Sequence, residues 1–159
     1  MCIRDRSLAA WWSRRLGCAV EVSDLGVPKA GFSNETLVGK ARIDGESIDF
    51  VARIEPTNHQ LFLEPSAAFQ ASMMKALAGT GRVPVPEVLL EEPDAAVLGA
   101  PFFVMNRVSG RVPPDRPCWH EGGWTAALSI PERTRLYDNG LQVMVDLHAL
   151  DPEDGFGFL

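Results

Sequence analysis

Apolar positions along the chain change period several times, and each change marks an element. Leu8, Trp11, Trp12 and Leu16 recur at helical spacing and Gly17 follows them, so a helix is expected over 7–16. Residues 20–25 form a short strand, and Gly26, Pro28 and Gly31 mark turns after it. From Thr36 to Ile43 small and apolar residues alternate with others, and Asp44-Gly45 is a two-residue hairpin signal because both turn positions need positive φ. On the return strand Ile48, Phe50, Ala52 and Ile54 share one face, while Asp49, Val51, Arg53 and Glu55 share the other. Ser66 is placed to cap a helix running to about Leu77, with Phe69, Met73, Ala76 and Leu77 as its apolar stripe and Gly79 as its end.

Val83-Pro84-Val85-Pro86 cannot be helical and reads as an extended connector. Strands are expected over 87–91 and 101–106, joined by a turn at 94–99. Residues 113–123 are irregular and rich in proline and glycine, with Trp119 and Trp124 as anchors. Ser129-Ile130-Pro131-Glu132 is a capping box with proline in the first turn, and it starts a helix running to about Leu150. Tyr137, Leu141, Met144, Val145 and His148 lie on one stripe of that helix; Leu136, Val143, Leu147 and Leu150 lie on the next. A surface helix has one such stripe. This one calls for neighbours on two sides, which no further helix before Leu159 supplies, and His148 is read as a packed histidine.

Composition narrows the function. The 159 residues suffice for one ordinary domain, and 46% hydrophobic with 23% charged residues is the make-up of a globular protein. A net charge of −6 argues against nucleic acid or an anionic membrane as partner. It leaves ATP open, because a phosphate needs only a few local donors. Cys2, Cys18 and Cys118 show no metal-ligand spacing with His59, His120 or His148, which fits reduced thiols in a cytoplasmic protein. The longest apolar stretch, 95–105, is broken by Gly99 and Pro101 and is too short to cross a bilayer. No secretory signal is visible. Residues 1–6 fit nothing downstream and resemble a translated adapter scar, so they are set apart as a non-native start.

Two segments carry candidate chemistry. Gly31-Phe32-Ser33-Asn34 lies between two strands. Its backbone N–H groups and the Ser33 hydroxyl can point at an anion, with Asn34 steadying the turn. Taken alone it reads as an ordinary β-turn. Arg53, two residues beyond Val51 on one strand face, is either a solvated charge or a cation placed under that loop to meet phosphates. Asp115, Asp146 and Asp151 have no general-base context.

The order of these segments is what becomes specific. A "GFSN-T" loop from Gly31, a "V-x-R" strand at Val51–Arg53, the "VPVP" connector at 83–86 and "LGAPFFVM-x-x-V-x-G" from Leu98 to Gly110 resemble the aminoglycoside phosphotransferase and choline-kinase-like superfamily. The branch most similar is the kinase-like domain fused to acyl-CoA dehydrogenases. Pro113-Pro114-Asp115-Arg116-Pro117 and Leu147-His148-Ala149-Leu150-Asp151 also fit it. The resemblance implies that Gly31, Phe32, Ser33 and Asn34 cover nucleotide phosphates, that Arg53 contacts them, and that Val51 packs on adenine. Gln70 falls near the position of the helix residue that pairs with this cation. Protein kinases have glutamate there, and Gln70 can hydrogen-bond a guanidinium without neutralising it. Met105 falls near the gatekeeping position, with backbone groups of Asn106 and Val108 facing adenine. The His-Gly-Asp-x-x-x-x-Asn catalytic element of the family is absent before Leu159.

The expectation is therefore an α+β chain: a protein-kinase-like small lobe, an antiparallel sheet plus one helix, over 7–108. A linker and the first helix of a truncated large lobe follow over 109–159. The implied function is the ATP-binding half of an ATP-dependent phosphotransferase acting on a small-molecule hydroxyl. No catalytic or metal-binding residue is assigned in this chain, and Mg2+ is expected only with the missing lobe. A non-catalytic nucleotide-binding module and an unrelated α+β interaction domain are the alternatives. The acceptor (aminoglycoside, hydroxyacyl thioester or another metabolite) and the choice of ATP over GTP stay open.

Overall fold

The computed structural model describes residues 3–28, 35–57, 66–113, 116, 118, 120–153 and 155–158. The chain forms two compact units. One comprises Met1–Gly79 with Val85–Arg107, the other Thr80–Pro84 with Val108–Leu159.

The first unit is a five-stranded sheet with a helix on each face. Its strands are β1 (Val20–Gly26), β2 (Glu35–Ile43), β3 (Glu46–Ile54), β4 (Val88–Glu92) and β5 (Phe102–Asn106), in the spatial order β1-β2-β3-β5-β4. Every neighbouring pair is antiparallel. Asp44 and Gly45 both have positive φ, 50° and 89°, so the β2–β3 turn takes the twist that a tight hairpin requires. Alternation along β3 sorts the faces as expected: Phe50, Ala52 and Ile54 are buried, Val51 and Arg53 half-buried.

One sheet face packs on the first helix, α1 (Ile3–Leu16). Leu8, Trp11 and Trp12 join Val20, Val22, Leu37, Phe50, Ile54, Phe102 and Val104 in the main core. Trp11 meets Phe102 edge-on at 4.8 Å and Trp12 meets Phe50 at 5.1 Å. Such pairs add about 0.5–1.5 kcal/mol beyond area burial. The helix begins four residues before the expected Ser7, and Arg4 within the extension pairs with Glu35.

The opposite face carries α2 (Ala67–Thr80), through a smaller cluster of Ala67, Ala71 and Phe103 with Met74, Val88 and Met105 around it. Ser66 caps it as expected: its Oγ accepts from the Phe69 N–H at 3.1 Å. The stripe differs. Phe69 is exposed, and the sheet is met at Ala67, Ala71 and Met74, spaced i, i+4, i+7. Small residues face Phe103 because only they let helix and sheet approach. The helix also passes Gly79 and stops before Gly81, whose φ of 64° suits the left-handed position that ends a helix.

In the second unit α3 (Gly123–Ala126) is a single turn and α4 (Ile130–His148) is the long helix. Arg111 stacks 4.6 Å over the Trp124 ring, whose Nε1 donates to the Val112 carbonyl at 3.2 Å. The capping box forms: the Ser129 N–H donates to Glu132 Oε2 at 2.8 Å, and Pro131 occupies the first turn. The two apolar stripes of this helix are left uncovered, as the lack of a following helix implied. It has no buried residue, and His148 is exposed in its last turn rather than packed. Among the described residues, no helix is long and apolar enough to cross a membrane.

Candidate nucleotide site

Strand register decides which side chains share a surface. In β3, Val51 lies opposite Val38 of β2 and Met105 of β5; Arg53 lies opposite Thr36 and Phe103. Directly paired residues project to the same side of a sheet. Val51, Arg53, Met105 and Phe103 are therefore on one face, the face that carries α2. Val51 and Met105 form an apolar bed, and Val88 borders Met105 from β4. The tryptophans and the main core lie on the other side.

Arg53 is half-buried, and desolvation pushes its pKa down from the ordinary arginine value. A fully solvated strand charge carries no such penalty. A cation held partly out of water interacts more strongly with an anion than one at the surface. Gln70 is half-buried on α2, one position before Ala71, so the helix that carries it is seated on the face of Arg53.

Glu55 and Asn106 have additional uses. Glu55 Oε1 accepts from the Ala67 N–H at 2.6 Å, fixing the start of α2 to the end of β3. Sequence pattern placed Glu55 on this face but gave it no role, because its partner is 12 residues away. Asn106 is clamped twice to the connector before β4. Its N–H donates to the Glu87 carbonyl at 3.0 Å, and its Oδ1 accepts from the Glu87 N–H at 2.7 Å. The Arg107 N–H donates to the Asp49 carbonyl at 2.9 Å. This corrects one part of the expected hinge: the Asn106 N–H is spent inside the fold. Val108, in the second unit, is 66% exposed.

The expected phosphate loop, Gly31, Phe32, Ser33 and Asn34, lies outside the described residues, as do His59, Asp115 and Trp119. His120 lies 3.8 Å from Glu121, a partner supplied by its own chain neighbour. Among the described residues, no group of three or more histidine, cysteine or carboxylate side chains could hold a metal ion.

Comparison with known proteins gives this arrangement a context. Residues 26–158 match the model of the phosphotransferase enzyme family. The chain is also similar to the crystal structure of a protein from Ralstonia eutropha JMP134 provisionally named an aminoglycoside phosphotransferase. The two are 31% identical with a TM-score of 0.64, over 94% of this chain and 39% of that one. The chain thus spans well under half the length of that solved relative.

Proposed function

The chain belongs to the phosphotransferase enzyme family, and we propose that its first unit is the nucleotide-binding half of an ATP-dependent phosphotransferase acting on a small-molecule hydroxyl. One observation carries the reading. A half-buried, desolvated Arg53 shares a sheet face with the apolar pair Val51 and Met105, next to the strand that leads out of the unit.

ATP supplies the phosphoryl group to be transferred. Arg53 holds the phosphates by charge-assisted hydrogen bonds, which the partly desolvated setting strengthens. In this reading the Ser33 hydroxyl and the backbone N–H groups of 31–34 also donate to the phosphates. Val51 and Met105 exclude water from the base. The Asn106 carbonyl, which can accept a second hydrogen bond, orients it. Gln70 steadies the guanidinium without cancelling its charge. Among the described residues there is no cluster of three or more carboxylate, histidine or cysteine side chains to hold Mg2+. The carboxylate that positions the acceptor hydroxyl is assigned to no residue of this chain, and the acceptor class, hydroxyacyl thioester, aminoglycoside or another metabolite, stays open.

Calorimetric titration of residues 1–159 with ATP and with adenosine tests the reading. ATP is expected to bind weakly and without turnover. Arg53→Ala should weaken ATP by about 10- to 100-fold, the worth of one hydrogen bond to a charged group, and leave adenosine within about twofold. Equal losses for both ligands, or phosphotransfer by this chain alone, would contradict the assignment.

A further inference from the structure

Little apolar surface holds α2 on its sheet face. Its buried residues are Ala67 and Ala71, which pack on Phe103 with Met74 beside them. An alanine buries a single methyl, so the gain from each is small. The ion pair of Lys75 with Glu91 of β4 lies more than two turns from the helix start, and Lys75 is 53% exposed. Exposed pairs of this kind contribute little. A cavity of about 230 Å3, lined in part by Glu55, Ala67, Ala68 and Pro101, opens at the start of the helix, so close packing does not fix it there.

Glu55 supplies the fixed point. Pro56 follows it and favours an extended backbone at Glu55. The Glu55 N–H donates to the Pro101 carbonyl at 2.9 Å, one residue beyond the Ile54–Phe102 pair that ends the β3–β5 ladder. From this anchored position Oε1 accepts from the Ala67 N–H, the first of α2. A carboxylate suits that end of a helix, where the dipole is positive. Ser66 serves the Phe69 N–H, a contact local to the helix start, and so cannot locate the helix on the sheet. The consequence reaches Arg53. Ala67 and Ala71 cover Phe103, and Phe103 is the cross-strand neighbour of Arg53 on β5. The helix that Glu55 places therefore helps to keep the guanidinium half out of water, the setting in which it meets an anion most strongly.

We propose that Glu55 is a positioning residue for phosphate binding: it touches no ligand, and it acts by holding α2 over Phe103 beside Arg53. The proposal rests on the nucleotide reading above. The charge of Glu55 works in the opposite sense. It lies about 7 Å along the strand from Arg53, and a carboxylate so near disfavours an incoming phosphate. If charge alone counted, Glu55→Ala and Glu55→Gln would both tighten ATP. A positioning role predicts opposite outcomes for the two, because only Gln keeps an acceptor for the Ala67 N–H.

Calorimetric titration of the full chain with ATP and with adenosine makes the test. Glu55→Ala is expected to weaken ATP by at least about threefold, a part of the loss expected for Arg53→Ala, and to leave adenosine within about twofold. Glu55→Gln should bind ATP at least as tightly as the parent. In an Arg53→Ala background, Glu55→Ala should change ATP affinity by less than about twofold, because a residue that acts through Arg53 then has nothing to act on. Amide exchange should show α2 opening faster in Glu55→Ala and unchanged in Glu55→Gln. The proposal is overturned by ATP binding that is unchanged or tighter in Glu55→Ala, by equal losses in the Ala and Gln variants, by additive losses in the double variant, or by adenosine lost in step with ATP. An Arg53→Ala variant that binds ATP like the parent sinks the nucleotide reading and this role together. Where Arg53→Ala weakens ATP and Glu55→Ala does not, the role of Glu55 alone fails.

Discussion

Gly39 shows how a single atom is refused in this sheet. It lies opposite Phe50, and a Cβ there would stand 3.0 Å from Phe50 Cζ and 3.1 Å from Leu25 Cδ1. The Phe50 ring is fully buried and held edge-on by Trp12, so it cannot swing away. Gly39→Val is therefore expected to destabilise the first unit by about 1–3 kcal/mol, the usual cost of overpacking, and Gly39→Ala by less. Urea denaturation followed by tryptophan fluorescence reads this directly, and a Gly39→Val midpoint equal to that of the parent would refute it. Nothing in the sequence marks Gly39, because its constraint comes from a ring on another strand. Arg53 and Val51 differ in this respect. Alternation placed them together on one face, but the partial burial of Arg53 depends on packing that the alternation does not encode.

At the scale of elements, local signals were legible and depths of packing were not. The hairpin at Asp44-Gly45, the Ser66 cap and the Ser129–Glu132 box are each set by contacts within a few residues, and each forms. The stripe of α2 was misread because apolarity ranks Phe69 above Ala71, whereas the close approach to Phe103 requires small side chains. The start of α4 yields a pH prediction. The Glu132 carboxylate accepts from both the Ser129 hydroxyl and the Ser129 N–H, and these bonds hold its pKa below the ordinary glutamate value. A carboxylate depressed in the folded state contributes stability above its unfolded pKa and loses it as pH falls through the folded value. The first turn of α4 should therefore fray on acidification below the usual glutamate range. Glu132→Gln, which keeps a capping acceptor but cannot titrate, should remove that pH dependence. Amide exchange of the first-turn residues across pH 3 to 6, roughly the span around carboxylate titration, provides the measurement. Identical profiles for parent and variant would exclude the capping box as the source.

For the whole molecule, the order of segments made the family legible where no single motif did, and the match over residues 26–158 agrees with that order. The uncovered surface of the second unit was legible too: helix α4 carries two apolar stripes, and no further helix follows it in this sequence to cover them. In the structure Leu136, Tyr137, Leu141, Met144 and Val145 are 42–65% exposed. Apolar area left in water costs roughly 25 cal/mol per Å2, and a contiguous bare face of this kind makes a protein adhesive. The chain as it stands is therefore expected to bind a hydrophobic dye such as anilinonaphthalene sulfonate and to self-associate as its concentration rises. Leu141→Glu with Met144→Glu places two charges on that face without touching a buried side chain. Sedimentation should then show less association, dye fluorescence should fall, and helix content should stay unchanged. If the double variant binds as much dye as the parent, the adhesive surface lies elsewhere, and the two-stripe reading of α4 has no consequence in solution.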